Sequence, residues 1–112
     1  EPLTIPPGGQ AVVPTGLAVA IPTGYVGILA VRSSMGIRNG VTLSNGIGVI
    51  DSDYRGPLGA GLHNLSQTPY TVQPGDRVAQ LMVVPVIREQ IEVVDELPPT
   101  RRGSGGFGST GR

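Results

Sequence analysis

Two neighbouring carboxylates, an arginine followed by two serines, and a glycine-framed tail are the parts of this chain able to do chemistry. Asp51 follows directly on an apolar stretch in Gly48-Val49-Ile50-Asp51-Ser52-Asp53-Tyr54-Arg55-Gly56. A carboxylate at the end of a strand is held in place, with oxygens suited to taking a proton from water. Two carboxylates at i and i+2 are also ordinary Asx-turn chemistry, which fits Asp53 better than Asp51. Arg32-Ser33-Ser34 joins a cation to two hydroxyls. If one helical turn opens there, its free N–H groups complete a phosphate cradle; a Ser N-cap beside a solvated Arg uses the same residues differently. Residues 101–111 read Arg-Arg-Gly-Ser-Gly-Gly-Phe-Gly-Ser-Thr-Gly. Arg102 suits an oxyanion, and Ser104, Ser109 and Thr110 offer hydroxyls. Gly105 and Gly108 let backbone approach closely, and Phe107 is the only Phe. A phosphate plus a flat ring, that is, a nucleotide, satisfies all of them. A plain disordered terminus has the same composition.

Composition bounds the function. With 112 residues the chain is one domain with a large unburied fraction, so self-association is attractive. Eight basic and eight acidic residues cancel, and every basic residue is Arg. That balance argues against nonspecific binding to nucleic acid or a membrane surface. There is no Cys and only one His, His63, which excludes a thiolate site and an imidazole cluster for zinc. His63 reads as an ordinary strand residue. No apolar run reaches the length of a membrane span, and Glu1-Pro2-Leu3-Thr4 lacks a signal pattern. A cytoplasmic protein is expected.

Eighteen Gly and eleven Pro leave almost no window for a helix of ordinary length. Between them lie candidate strands at Gln10–Val13, Leu17–Ile21 and Tyr25–Val31, separated by Pro-Thr-Gly turns at Pro14 and Pro22, the spacing of an all-β barrel or sandwich. Val41–Leu43 and Ile47–Ile50 flank Ser44-Asn45-Gly46, which predicts a tight hairpin. Leu58–Leu62, Tyr70–Val72 and Val78–Val86 follow, with Pro74-Gly75 as a turn. Val86 to Leu97 is the one place a helix fits, but Ile87, Ile91, Val93 and Val94 predict strand, at Gln90–Val94. From Pro98 the composition shifts to Pro, Gly, Arg and Ser. The division expected is a β domain over 1–97 and a flexible arm over 98–112.

Taken together in order, these segments resemble the trimeric dUTPases, the deoxyuridine triphosphate nucleotidohydrolases. Arg32-Ser33-Ser34 looks like the second of five family motifs, Asn45 through Gly56 the third, Pro74-Gly75-Asp76-Arg77-Val78-Ala79-Gln80-Leu81 the fourth, and Arg102 through Gly111 the fifth. The third and fifth are very specific. The resemblance implies an all-β fold, a β-clip or distorted jelly-roll barrel, and hydrolysis of dUTP to dUMP and pyrophosphate. It also implies the roles. Asp51 is the general base on the attacking water. Arg32, Ser33 and Ser34 hold phosphates, and Gln80 donates to an α-phosphate oxygen. Asn45 reads the uracil edge, and Tyr54 lies against the deoxyribose and excludes a 2′-hydroxyl. From the arm, Phe107 stacks on uracil, Arg102, Ser109 and Thr110 engage the γ-phosphate, and Gly105 and Gly108 allow close approach. Mg2+ is expected to be held through substrate phosphates and water, with no protein ligand. A homotrimer with shared sites is implied; Asp76 and Arg77 read as mainly structural.

Two rivals bear on that resemblance. The dCTP deaminases share the fold and the Arg-Ser-Ser stretch but need a Glu where this chain has Gly61, so deamination is not expected. The family's first motif, an Ala-Gly-Tyr-Asp-Leu-like segment ahead of the first strands, has no counterpart in these residues. A non-catalytic dUTP-binding or protein-interaction module of the same fold is therefore the alternative.

Overall fold

The computed structural model describes residues 1–108 and is built from eight strands and one helical turn. The strands are β1 (Leu3–Ile5), β2 (Gln10–Ala18), β3 (Tyr25–Val31), β4 (Val41–Leu43), β5 (Gly48–Ile50), β6 (Pro57–Asn64), β7 (Tyr70–Val72) and β8 (Ala79–Pro85), with a π-helical turn at Ser34–Arg38. They form three antiparallel sheets, ordered β1-β7, β2-β6-β4 and β5-β3-β8. Among the described residues no helix is long and apolar enough to cross a membrane.

Alternation builds the core. Along β6, Leu58, Ala60, Leu62 and Asn64 point inward and the residues between them do not, the period of two that a pleated strand imposes. Val41 and Leu43 on the neighbouring β4 do the same, and Ile5, Leu29, Met35, Val72 and Val78 close the cluster. His63 stands on the other face of β6, opposite Gln10 and Thr42, as an ordinary strand residue.

Three local expectations differ from the structure. Pro14-Thr15-Gly16 does not reverse the chain: β2 runs through it, and the register against β6 shifts between Pro14 and Ala18. A bulge absorbs the extra residues, with Gly16 at φ 75 and the Thr15 hydroxyl donating to the Leu58 carbonyl at 2.8 Å. Asn45-Gly46 does make a tight reversal, with Gly46 at φ 77, but no hairpin. β4 pairs with β6 and β5 with β3, so the turn carries the chain from one sheet to another. Gln90–Val94 is neither strand nor helix. Among the described residues it pairs with no strand, and Ile87, Ile91 and Val93 are at least 77% exposed. The radius of gyration, 19.0 Å, exceeds the roughly 13 Å of a compact domain of this length, and every residue from Gln80 to Ser104 is exposed. The Pro22 turn forms as expected, with the Tyr25 N–H donating to the Pro22 carbonyl at 3.1 Å. Strand β1 carries too short a pattern to be read from the sequence.

Asn64 is the buried polar residue that fixes this arrangement. Its Nδ2 donates to the carbonyls of Ile5 and Thr68 at 2.9 and 2.8 Å, and its Oδ1 accepts from the Ser66 N–H and hydroxyl at 3.0 and 2.7 Å. One side chain thus ties β1 and the β6–β7 loop to β6. Asn64→Leu keeps the volume but strands those partners, and each buried unpaired group costs about 1–3 kcal/mol. The expected result is a loss of about 3 kcal/mol in urea unfolding with an unchanged m-value; a loss below about 0.5 kcal/mol contradicts the pinning role.

Candidate active site

β3 organises the chemistry, because the candidate residues sit on its two edges and at its end. On one edge, β8 pairs with β3 so that Ala30 faces Gln80 and Val31 faces Ala79. The Arg32 N–H donates to the Val78 carbonyl at 3.4 Å, and Gln80 Nε2 donates to the Val31 carbonyl at 3.3 Å. Arg32 and Gln80 therefore line the same cleft, of about 1010 Å³, with the Gln73–Leu81 run. Asp76 sits in a turn where its carboxylate accepts from the Gln73 N–H at 2.8 Å and its own N–H donates to the Gln73 carbonyl at 3.0 Å, the structural use read from the sequence.

Directly after Arg32 the chain enters the π-helical turn. Its carbonyl accepts from the N–H groups of Met35 and Gly36, and both the N–H and Nδ2 of Asn39 donate to the Ser34 carbonyl at 3.2 and 3.1 Å. Met35 anchors the turn in the core. Ser33 has helical φ −56 and ψ −38 and makes no side-chain capping bond. Its exposed hydroxyl is thus not occupied as an N-cap.

On the other edge of β3, β5 brings Ile50 opposite Gly27, and Asp51 follows at the strand's end. The Asp51 carbonyl accepts from the Tyr54 N–H at 3.1 Å, closing a four-residue turn. Arg55 steadies that turn through Nη1 donating to the carbonyls of Ser52 and Tyr54 at 2.6 and 3.1 Å. The Tyr54 ring folds back so that its hydroxyl donates to the Pro57 carbonyl at 2.9 Å. Asp51 and Tyr54 share a second cleft, of about 220 Å³, with Val49, Ile50, Pro57, Leu58 and Gly59. That is below the roughly 300 Å³ at which small-molecule pockets begin.

The two clefts do not merge. Ile50 lies opposite Gly27, near the start of β3, and Arg32 follows Val31 at its end, so the Asp51 end and the Arg32 end stand roughly 17 Å or more apart along the strand. Leu58 lines both. Asn45, in the crossover turn, lines neither. The described residues of the arm line neither cleft: Arg102 Nε donates to the Gly105 carbonyl at 2.6 Å, and the Gly105 N–H returns a bond to the Arg102 carbonyl at 3.2 Å. Phe107 is fully exposed, at φ 39, with Gly108 beside it at φ 94. Ser109 and Thr110 lie outside the described residues. Among the described residues, the candidates thus stand apart, with Arg32 and Gln80 in one cleft and Asp51 and Tyr54 in the other. The residue the sequence did not disclose is Pro57, whose carbonyl fixes the Tyr54 ring; its only signal is its place directly after Arg55-Gly56.

The dUTPase family model matches residues 1–111. The chain is 50% identical over 112 residues to a deoxyuridine 5′-triphosphate nucleotidohydrolase of Anaeromyxobacter sp. (strain Fw109-5), covering 100% of this chain and 76% of that protein. Among solved structures, the Staphylococcus bacteriophage 80alpha dUTPase with dUpNHpp superposes with a TM-score of 0.91 at 29% identity, over 100% of this chain and 82% of that one. A variant dUTPase of S. aureus phage phi11, whose structure shows coordination of a structural Mg(II) ion, superposes with a TM-score of 0.78 at 29% identity, over 86% of this chain and 78% of that one.

Proposed function

This chain belongs to the dUTPase family, and we infer from that membership that it hydrolyses dUTP to dUMP and pyrophosphate by attack of water on the α-phosphorus. Such a reaction asks the protein for positioning and charge stabilisation more than for covalent chemistry. Asp51, exposed at the strand's end, accepts a hydrogen bond from the attacking water and takes its proton. Arg32 and the Ser33 and Ser34 hydroxyls hold the phosphate chain, and Gln80 donates to an α-phosphate oxygen. Asn45 and the backbone of its turn read the uracil edge, and Tyr54 lies against the deoxyribose.

The observation that supports a shared site is the separation of the two clefts. Neither alone holds both the base and the phosphate contacts, and β8 with the segment after it leaves Met82, Val83, Ile87, Ile91 and Val93 exposed. In a homotrimer, the Arg32–Gln80 cleft of one copy faces the Asp51–Tyr54 cleft of a second, and residues 98–112 act as an arm that closes with Phe107 over uracil. Arg102, Ser109 and Thr110 then reach the γ-phosphate, and Gly105 and Gly108 let the backbone come close. Light scattering tests this: a monomer with full activity contradicts it. The non-catalytic alternative is not favoured, since relatives that span nearly the whole chain are nucleotidohydrolases.

Among the described residues no group of three or more His, Asp or Glu side chains could hold a metal. The donor set that suits Mg2+ is the triphosphate itself with water, and the ion neutralises phosphate charge when bound. We place the enzyme in the cytoplasm.

Pyrophosphate release tests substrate choice. Turnover of dUTP should exceed that of dTTP, dCTP and UTP by about a hundredfold in kcat/KM, because a slot formed around Asn45 rejects a methyl or an amino group and Tyr54 rejects the ribose hydroxyl. Comparable turnover of dTTP contradicts the assigned uracil slot.

A further inference from the structure

We infer that Gly56 is a positioning residue for sugar discrimination: its lack of a side chain leaves the space in which the Tyr54 ring stands. The inference rests on the proposed role of Tyr54 at the deoxyribose.

The geometry is local and one-sided. The Tyr54 hydroxyl reaches past Gly56 to the Pro57 carbonyl, at 2.9 Å, so the ring lies across residue 56. A Cβ placed on Gly56 falls 2.7 Å from the ring Cζ and 3.0 Å from Cε1, with the hydroxyl oxygen nearer still. Carbon atoms rest at about 3.5–4.0 Å, so the ring and a methyl group cannot share that space. The backbone at Gly56 is not in the left-handed region, so alanine is conformationally acceptable there. What a side chain at 56 must displace is therefore the ring.

Tyr54 is 44% exposed and is tied at its tip by the Pro57 bond, so a displaced ring swings outward and loses that anchor. The cleft it lines is small, and a shift on the order of an ångström in one wall is large beside the dimensions of a hydroxyl group. Asp51 is coupled to Tyr54 through backbone, its carbonyl accepting from the Tyr54 N–H. Moving the ring thus alters the sugar wall while leaving the base on its strand. Tyr-Arg-Gly-Pro is, on this argument, one device: Tyr54 supplies the wall, Gly56 the space behind it and Pro57 the acceptor that holds it upright.

The test is the ratio of kcat/KM for dUTP to that for UTP, with thermal midpoints as a control for folding. Gly56→Ala is expected to lower the ratio about tenfold, mainly through a lower KM for UTP. Tyr54→Ala lowers it as well, and the double variant matches Tyr54→Ala alone, since a residue acting through the ring has no effect once the ring is gone. Tyr54→Phe removes both the anchor and the atom nearest residue 56. It should lower the ratio by itself and soften the effect of Gly56→Ala.

A wild-type ratio in Gly56→Ala, or an equal drop with the ring already removed, overturns the inference while the reading of Tyr54 stands. An unchanged ratio in Tyr54→Ala overturns both. Should Gly56→Ala fail to fold, Tyr54→Phe decides: a ratio equal to wild type shows that the Pro57 anchor does not set the sugar wall, and the inference falls.

Discussion

Asp51→Asn should lower dUTP turnover by a factor of about a hundred or more while leaving nucleotide binding near normal. Asparagine has the size and shape of aspartate and can still orient a water through its amide oxygen. It cannot accept the proton that the attacking water must lose. A hundredfold loss corresponds to about 2.7 kcal/mol of transition-state stabilisation, within the range of one positioned proton acceptor. The fold should not confuse the measurement. Asp51 is exposed, and what it gives the turn is its carbonyl, which accepts from the Tyr54 N–H and survives the substitution. Single-turnover pyrophosphate release beside titration with a non-hydrolysable dUTP analogue separates the two quantities. Near-normal rates remove Asp51 from its role; lost binding with an intact chemical step does the same, since a base acts on the step and not on the ground-state complex.

Deleting residues 101–112 should reduce kcat on the order of a hundredfold or more, the scale of removing preorganised charge from developing negative charge on phosphates. The core cluster runs from Ile5 to Val78, so among the described residues nothing that holds the sheets together lies in the deleted segment. Arg101 to Ser104 are exposed, and the hydrogen bonds of the described arm stay within it, between Thr100 and Gly105. The thermal midpoint and the mass by light scattering should therefore match those of the full chain. Because the arm's contacts are assigned to the closed, reacting complex, kcat should fall more than KM rises. Turnover within threefold of the full chain would leave the tail without a catalytic part. A deletion that unfolds the domain would contradict the boundary set at residue 98.

Some of this protein is determined by the sequence alone. Pro22-Thr23-Gly24 reverses the chain and Asn45-Gly46 turns it tightly, because backbone angles answer to the residues that occupy them. β4 and β7 fall where their apolar residues alternate, and Leu58, Ala60 and Leu62 face inward for the same reason. The candidate site residues Asp51, Arg32-Ser33-Ser34 and the Gly-Arg-Phe tail were singled out the same way, by type and spacing.

Only the tertiary structure decided which strand meets which. Asn45-Gly46 joins strands of two different sheets because β6 and β3 offer β4 and β5 better partners than each other. Pro14-Thr15-Gly16 became a bulge because β6 is long enough to pair on both sides of it. Gln90–Val94 has the composition of a strand but, among the described residues, no neighbour that completes its hydrogen bonds. The candidate site residues were divided the same way. Asp51 and Arg32 are 19 positions apart in the sequence, yet pairing on opposite edges and ends of β3 sends them to different clefts. Turn conformation and side-chain alternation are set by neighbours along the chain, whereas pairing and the enclosure of a site depend on surfaces the chain meets only after it has folded.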